Sequence, residues 1–288
     1  MNRQRPLSFG IKTAQRHATH DALLAVWQEA DSIPIFEHAW LNDHFMGLGS
    51  TPTGPYLESW TLLAALAAQT RRLRVGVMVT DNTYRHPAVL AKMAATVDVI
   101  SHGRLNFGIG TGWSEQQHRA YGILLPSPGE RVRRLGEACE LTRRLWTESL
   151  VTFEGRYYQL SEAPCDPKPL QKPFPPFVIG GEGEQTLKVI ALYADIWDCS
   201  ADSPELYHQK SILLENYCAA IGRDPASIEY SRHISVDPSD LKAALVETRS
   251  YIEVGATHII YHVPVPASQN ILRRLAEEVA SPLQAEYQ

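Results

Sequence analysis

Residues 74–113 read RVGVMVTDNTYRHPAVLAKMAATVDVISHGRLNFGIGTGW. Arg74 to Val79 is an apolar, β-branched run that predicts a strand, and the polar TDNTYRHP follows it. Pro87 opens a helix, at a position where its missing N–H costs little. Val89, Met93, Val97 and Ile100 recur at helical spacing, and Gly103 closes the helix. Leu105 to Ile109 predicts the next strand, ending in Gly110-Thr111-Gly112-Trp113. Strand, helix and strand in this order make a parallel unit, and ligands gather at the carboxyl ends of such strands. Two chemically unusual strand ends this close in sequence predict one shared pocket.

The same alternation runs outward in both directions. Upstream, Leu7–Ile11 and Ile33–Trp40 predict strands, with helices at His20–Glu29 and Glu58–Gln69. The loop between Gly47 and Pro55 is rich in glycine and proline and predicts a lid over the pocket. Downstream, Ser127 and Glu130 stand at capping-box spacing before a helix from Arg131 to Trp146, whose Leu135, Cys139, Thr142 and Trp146 form one stripe. VTFEGRYYQL, Val151–Leu160, predicts a hairpin turning at Glu154-Gly155, and the insertion extends over about 151–175. Further strands are expected at Phe177–Ile179, Ile196–Cys199, Ile228–Ile234 and His258–Val263, with a last helix over Ala267–Val279. Eight strands, each followed by a helix, predict one α/β domain over residues 1–288: a closed (β/α)8 TIM barrel with an insertion before strand 5. An open doubly wound sheet would carry its glycine-rich turn after the first strand; here KTAQRHATHD follows, without glycine.

At 288 residues the chain can bury roughly three quarters of its unfolded surface, ample for a core without staples. Its 44% hydrophobic and 20% charged residues exclude a disordered chain, and a net charge of −5 without a basic run argues against nucleic acid. Cys139, Cys165, Cys199 and Cys218 are scattered and show no metal-ligand spacing, so no metal is expected and the reading is a reduced, cytoplasmic protein. MNRQRPLSFG lacks a signal-peptide core, and no run is long enough to span a membrane.

Among residues that could carry chemistry, His44 stands beside Asp43 just past the second strand, where Trp40 and Phe45 add aromatic faces. A histidine there can move a proton near neutral pH, or simply hold a neighbouring carbonyl. Gly108, Gly110 and Gly112 strip side chains from one face, admitting either a flat ring or a neighbouring backbone. Gly180-Gly181-Glu182-Gly183 before a helix can cradle an anion or serve as an ordinary turn. Arg85-His86 can hold a carboxylate or phosphate, or cap the following helix. No HExxH, GxSxG or P-loop pattern occurs, while paired-carboxylate glycosidase chemistry leaves no local motif and stays open.

WLNDHF, LLAALAAQTRRLRVGVMV, the stretch YRHPAVLAKMAATVDVISHGRLNFGIGTGW and the run YYQLSEAPCDPKPLQKPFPPFVIGGEGEQTLKVIALYADIWD resemble the bacterial luciferase-like flavin and deazaflavin oxidoreductases over most of residues 33–199. Asp43-His44 and RHPAVLAKMAATVDVIS resemble the branch that uses the deazaflavin F420, with FMN and oxygen-dependent monooxygenation the alternative. The resemblance implies a cofactor ring on the strand ends, with Asp43 in contact with it and His44 facing the reacting carbon as the proton-transferring residue. It implies a non-prolyl cis peptide at Val77-Met78, with Thr80 near the ring edge, Thr111 and Gly112 as fourth-strand contacts, and Gly180, Gly181, Glu182 and Gly183 toward the cofactor phosphate. Trp40 and Trp113 would then border a small-molecule substrate, and the protein would be a homodimer. The similar sugar-phosphate dehydrogenases follow GTG with Glu, a proposed proton donor. Trp113 stands there in this chain, which argues for a more apolar substrate.

Overall fold

The computed structural model describes residues 6–50, 52–267 and 270–287. Met1–Arg5 of the signal-peptide argument, Thr51 of the proposed lid, and Ser268 and Gln269 of the last predicted helix lie outside them. Eleven strands run β1 (Ser8–Thr13), β2 (Phe36–Leu41), β3 (Arg74–Val77), β4 (Thr80–Asp81), β5 (Leu105–Gly110), β6 (Val151–Glu154), β7 (Gln159–Ala163), β8 (Phe177–Gly180), β9 (Ile196–Cys199), β10 (Glu229–Ser235) and β11 (His258–Val263). The order β3-β2-β1-β11-β10-β9-β8-β5-β4, with β3 also pairing β5, closes a parallel barrel. β3 and β4 are two pieces of one barrel position, so the barrel has the eight strands that the alternation predicts. β6 and β7 form the antiparallel hairpin of the insertion.

β3 and β4 are separated by a cis peptide at Met78-Val79. This corrects the expected position, Val77-Met78, by one residue: Val77 still pairs in register with Leu41 of β2, so the break comes after it.

The helices cover the outside. The helix α1 (His20–Ser32) is capped by Thr19, α2 (Ser59–Ala68) by Glu58, and α3 (Pro87–Ile100) by His86, whose ring accepts from the Ala88 N–H. On α3 three of the four stripe residues face the core: Val97 is buried and Met93 and Ile100 pack against it, while Val89 is exposed. The buried face also takes in Leu90, Ala91, Ala94 and Asp98. Alanines at the contact let the helix approach the barrel closely, and buried Asp98 is satisfied by Gln171, whose Nε2 donates to Oδ1 at 2.7 Å. A short helix, α4 (Glu115–Ala120), follows Trp113. On α5 (Pro128–Thr147) all four stripe residues are buried, but the expected capping box does not form. Glu130 instead pairs with Arg134 at 2.8 Å, one turn on. Phe107, Trp146 and Phe177 pack edge to face between barrel and helices. The remaining long helices are α6 (Glu184–Tyr193), α7 (Pro204–Ala220) and α8 (Leu241–Glu253). No helix among the described residues is long and apolar enough to cross a membrane.

Inside the barrel, Trp40, Met78, Val178, Ile196 and Ile260 form a separate small cluster. Glycine makes room for it. A Cβ on Gly76 would lie 2.5 Å from the Trp40 ring, and one on Gly108 would lie 1.9 Å from the Val77 carbonyl oxygen. Of the two readings of Gly108, the close neighbouring backbone is the one the fold uses. Gly108→Ala is therefore expected to cost about 1–3 kcal/mol, because a strand cannot yield as a side chain can. Gly136→Ala on α5, where the nearest atom is 4.0 Å away, should gain about 0.5–1 kcal/mol. Urea unfolding of both variants checks the contrast, and equal shifts would refute it.

Candidate active site

Two cavities open at opposite ends of the barrel. The larger, about 950 Å³, lies at the amino ends of the strands around Ser8, His38, Arg74 and His258. The smaller, about 300 Å³, lies at the carboxyl ends. Strand carboxyl ends are where barrel chemistry is built, and Lys12, Asp43, His44, Asp81, Asp198 and His233 converge there, so the smaller cavity is the candidate site.

Its floor is backbone and glycine. The Val79 side chain packs between β5 and β8, and a Cβ on Gly110 or Gly180 would stand 2.7 or 2.9 Å from Val79 Cγ2. Gly112, at φ +77°, turns the chain beside Thr83. The rim ends in Trp113, 60% exposed.

One wall holds His44. Gln117 Oε1 accepts the Phe45 N–H at 2.8 Å, which fixes the amide so that its Nε2 donates to His44 Nδ1, also at 2.8 Å. The imidazole therefore carries its hydrogen on Nε2. Burial holds the ring below the usual histidine range, against the pull of Asp43. It is neutral at pH 7. Tyr56 and Trp113 meet it edge to face, at 6.3 and 6.2 Å between centroids.

Behind His44, the Asp43 carboxylate takes both Arg85 amino groups, at 2.8 and 3.0 Å, and the Asp81 N–H at 3.0 Å. Arg85 also binds Glu58, at 2.5 Å, so the cation locks the second strand end to the start of α2. The carboxylate reading of Arg85 holds, with carboxylates of this chain as its partners. Asp81 is 5% exposed, and burial, helped by the Asp43 charge, pushes its carboxyl up to about 7.

The opposite wall holds Lys12, Asp198 and His233. Lys12 Nζ donates to the Met78 carbonyl at 2.8 Å, and burial brings its ammonium down to about 8 although Asp198 opposes it. His233 Nε2 lies 2.9 Å from Asp198 Oδ1, and its Nδ1 lies 3.0 Å from His262 Nε2. Burial works against the Asp198 charge, but His233 and then Lys12 outweigh it and hold the carboxyl low.

The structure brings Asp43, His44, Met78, Thr111, Gly112, Trp113, Gly180 and Gly181 to this cavity. Four expectations change. Trp40 is fully buried one layer below, its Nε1–H donating to His38 Nδ1 at 2.7 Å, so it borders no substrate space. Val77 points into the core between barrel and helices. The Thr80 hydroxyl is buried under Trp60, whose Nε1–H it accepts at 3.1 Å. Glu182 and Gly183 lie past the cavity, with Gly183 at the start of α6. Lys12, Asn42, Val79, Asp81, Asp198, Ser200 and His233 line the cavity without having been singled out. For Lys12 and Asp198 a signal existed: each is a lone charged residue near the end of an apolar strand, on the inward parity, whereas His233 stands in the polar strand EYSRHIS, where nothing singles it out.

Against known proteins, the sequence profile of the family described as luciferase-like monooxygenase matches residues 9–283. The F420-dependent glucose-6-phosphate dehydrogenase of Microbacterium testaceum is 30% identical over 282 residues, covering 95% of this chain and 81% of that protein. Among solved structures, an F420-dependent secondary alcohol dehydrogenase in complex with an F420-acetone adduct superimposes with a TM-score of 0.84 at 19% identity, over 95% of this chain and 98% of that one. An EDTA monooxygenase from Chelativorans sp. superimposes at 0.79 and 13% identity, over 98% and 94%.

Proposed function

The chain belongs to the luciferase-like monooxygenase family, and from that premise we propose that it is an oxidoreductase using the deazaflavin F420 to move a hydride to or from a small organic substrate. The observation that carries the reading is one cavity that combines a backbone-and-glycine floor with a neutral imidazole on its wall. A flat heterocycle fits such a floor: beneath it only Val79 intervenes between Gly110 and Gly180. Thr111, Gly112, Gly180, Gly181 and the Met78-Val79 backbone would hold the ring. When bound, F420 supplies the carbon that gives or takes the hydride.

The chain's own residues do the rest. Gln117 fixes the His44 tautomer, so that Nε2–H can donate a hydrogen bond to the substrate oxygen or nitrogen as charge develops there. Arg85 holds the Asp43 side chain in place, and Asp43 in turn anchors the Asp81 backbone. The rim supports an apolar substrate. Trp113 at the cavity, with Tyr121 and Leu124 further along the same segment, is an exposed apolar side chain, and Lys12 is the one Lys or Arg among the lining residues described.

The test is titration of the purified full chain with F420 and FMN separately, following cofactor fluorescence under anaerobic conditions. F420 should saturate one site per chain, while FMN at the same concentrations should not. Saturation by FMN alone, with oxygen-dependent turnover, would return the protein to the monooxygenase reading.

A further inference from the structure

His44 leaves one requirement of this chemistry unmet. Reduction of a carbonyl or imine needs a hydride on carbon and a proton on the heteroatom, and a neutral imidazole holding its hydrogen on Nε2 is a hydrogen-bond donor but a weak acid. Asp81 supplies what is missing. It sits on β4 immediately past the Met78-Val79 peptide, paired across the ladder with Gly110, and its side chain lines the cavity that His44 lines.

The neighbouring carboxylates are all committed. Asp43 accepts three hydrogen bonds, Glu58 caps α2 and holds Arg85, and Asp198 faces His233. Asp81 makes no ion pair among the described residues, whereas Asp198 lies 2.9 Å from the His233 ring; Asp81 Oδ2, like Asp198 Oδ1, is buried without a well-directed hydrogen bond. A buried carboxylate in that position is costly when charged, and protonation turns it into a donor.

We infer that Asp81 is the acid of this site, holding a proton on its carboxyl and passing it to the substrate heteroatom. The inference rests on the proposed hydride chemistry. With the hydride supplied to the carbon by bound reduced deazaflavin, the C=O or C=N π bond would break and its electron pair would take the proton from the Asp81 carboxyl. Asp81 is left as carboxylate and regains a proton from water before the next turnover; oxidation runs each transfer backwards.

The groups facing Asp81 favour this role. Burial and the Asp43 charge disfavour a second anion, while Arg85, the Tyr84 hydroxyl and the Trp113 N–H pull the other way and lose. The environments thus push a carboxyl up and an imidazole down, the separation that distinguishes an acid from a neutral donor in one cavity.

The experiment uses the full chain with F420 bound and aspartates labelled at the carboxyl carbon. One carboxyl resonance should titrate near pH 7 and be missing from Asp81→Asn. With reduced F420 and cyclohexanone as probe, Asp81→Asn should slow reduction about 10²–10⁴-fold at pH 6.5 with F420 affinity nearly unchanged. Asp81→Glu should recover part of the rate together with its decline above neutral pH. If every aspartate is already ionised at pH 6, or if Asp81→Asn matches the wild type, the assignment fails. Failure of the wild type to bind F420 would instead sink the proposed function, and the titration would still be read in the apoprotein.

Discussion

Replacing His44 by alanine is expected to slow hydride transfer about 10²–10³-fold, the usual loss when one preorganised donor to a developing oxyanion is removed. The geometry predicts how the loss divides. Because the ring is only half-buried and its Nδ1 is held by Gln117, deletion removes an oriented N–H without opening the core. Folding stability should change little, and F420 affinity, which rests on the glycine floor, should fall far less than the rate. The effect should therefore fall on kcat, the pattern of an interaction stronger in the transition state than in the ground state. Gln117→Leu gives a milder version: the imidazole stays but its tautomer is no longer fixed, so kcat falls without abolition. Single-turnover reoxidation of reduced F420 by cyclohexanone measures both. An unchanged rate in His44→Ala would remove the imidazole from the chemistry.

Much of the site was legible because alternation along a strand is strict. Trp40 faces the barrel interior, so His38 does too; Ile196 faces inward, and with it Asp198; Ile260 faces inward, flanked on its parity by His258 and His262. A reading of strand parity would have found Lys12 and Asp198 beside His44. The same parity argument places Trp40 inside the barrel rather than on its rim, which is where proximity to Asp43 in sequence misled. Thr80 needed more than pattern. The strand is interrupted between Val77 and Thr80, so alternation cannot be carried across it: Asp81 lines the cavity and Thr80 is turned under Trp60. On α3 the stripe was right at Met93, Val97 and Ile100 and wrong at Val89, because apolar periodicity ranks valine above alanine, whereas close packing on a barrel also selects Ala91 and Ala94.

The second large expected effect lies at the other end of the barrel. Stability should fall steeply as pH drops from about 6.5 toward 3, because His38 and His258 must stay neutral in the folded protein. Both are 2% exposed, their rings are stacked at 3.9 Å between centroids, and the Nε2 of each is buried without a partner. Burial brings His258 down to about 3, and burial together with the His258 neighbour holds His38 well below the ordinary range. The unfolded chain takes up these protons near pH 6.5 and the folded chain resists, so acid favours unfolding throughout that window. For His258 alone the displacement corresponds to about 3 kcal/mol lost by pH 4.5 and about 4 kcal/mol by pH 3. The two rings cannot both be charged at that separation, so His38 adds to the loss. Carboxylates held low, such as Asp31 and Glu58, contribute only once the pH falls toward their ordinary values near 4. Between 6.5 and 4.5 the loss therefore comes from the histidines that burial lowers, His262 among them, and is offset in part by Asp81, whose raised carboxyl takes up its proton in the folded chain first. His258→Phe keeps an aromatic ring stacked on His38 and removes one of the two resisting groups. Its urea midpoint should fall visibly less than that of the wild type between pH 6.5 and 4.5, whatever its value at pH 7. Parallel pH curves for the two proteins would mean that the imidazole pair at the barrel base does not govern acid sensitivity.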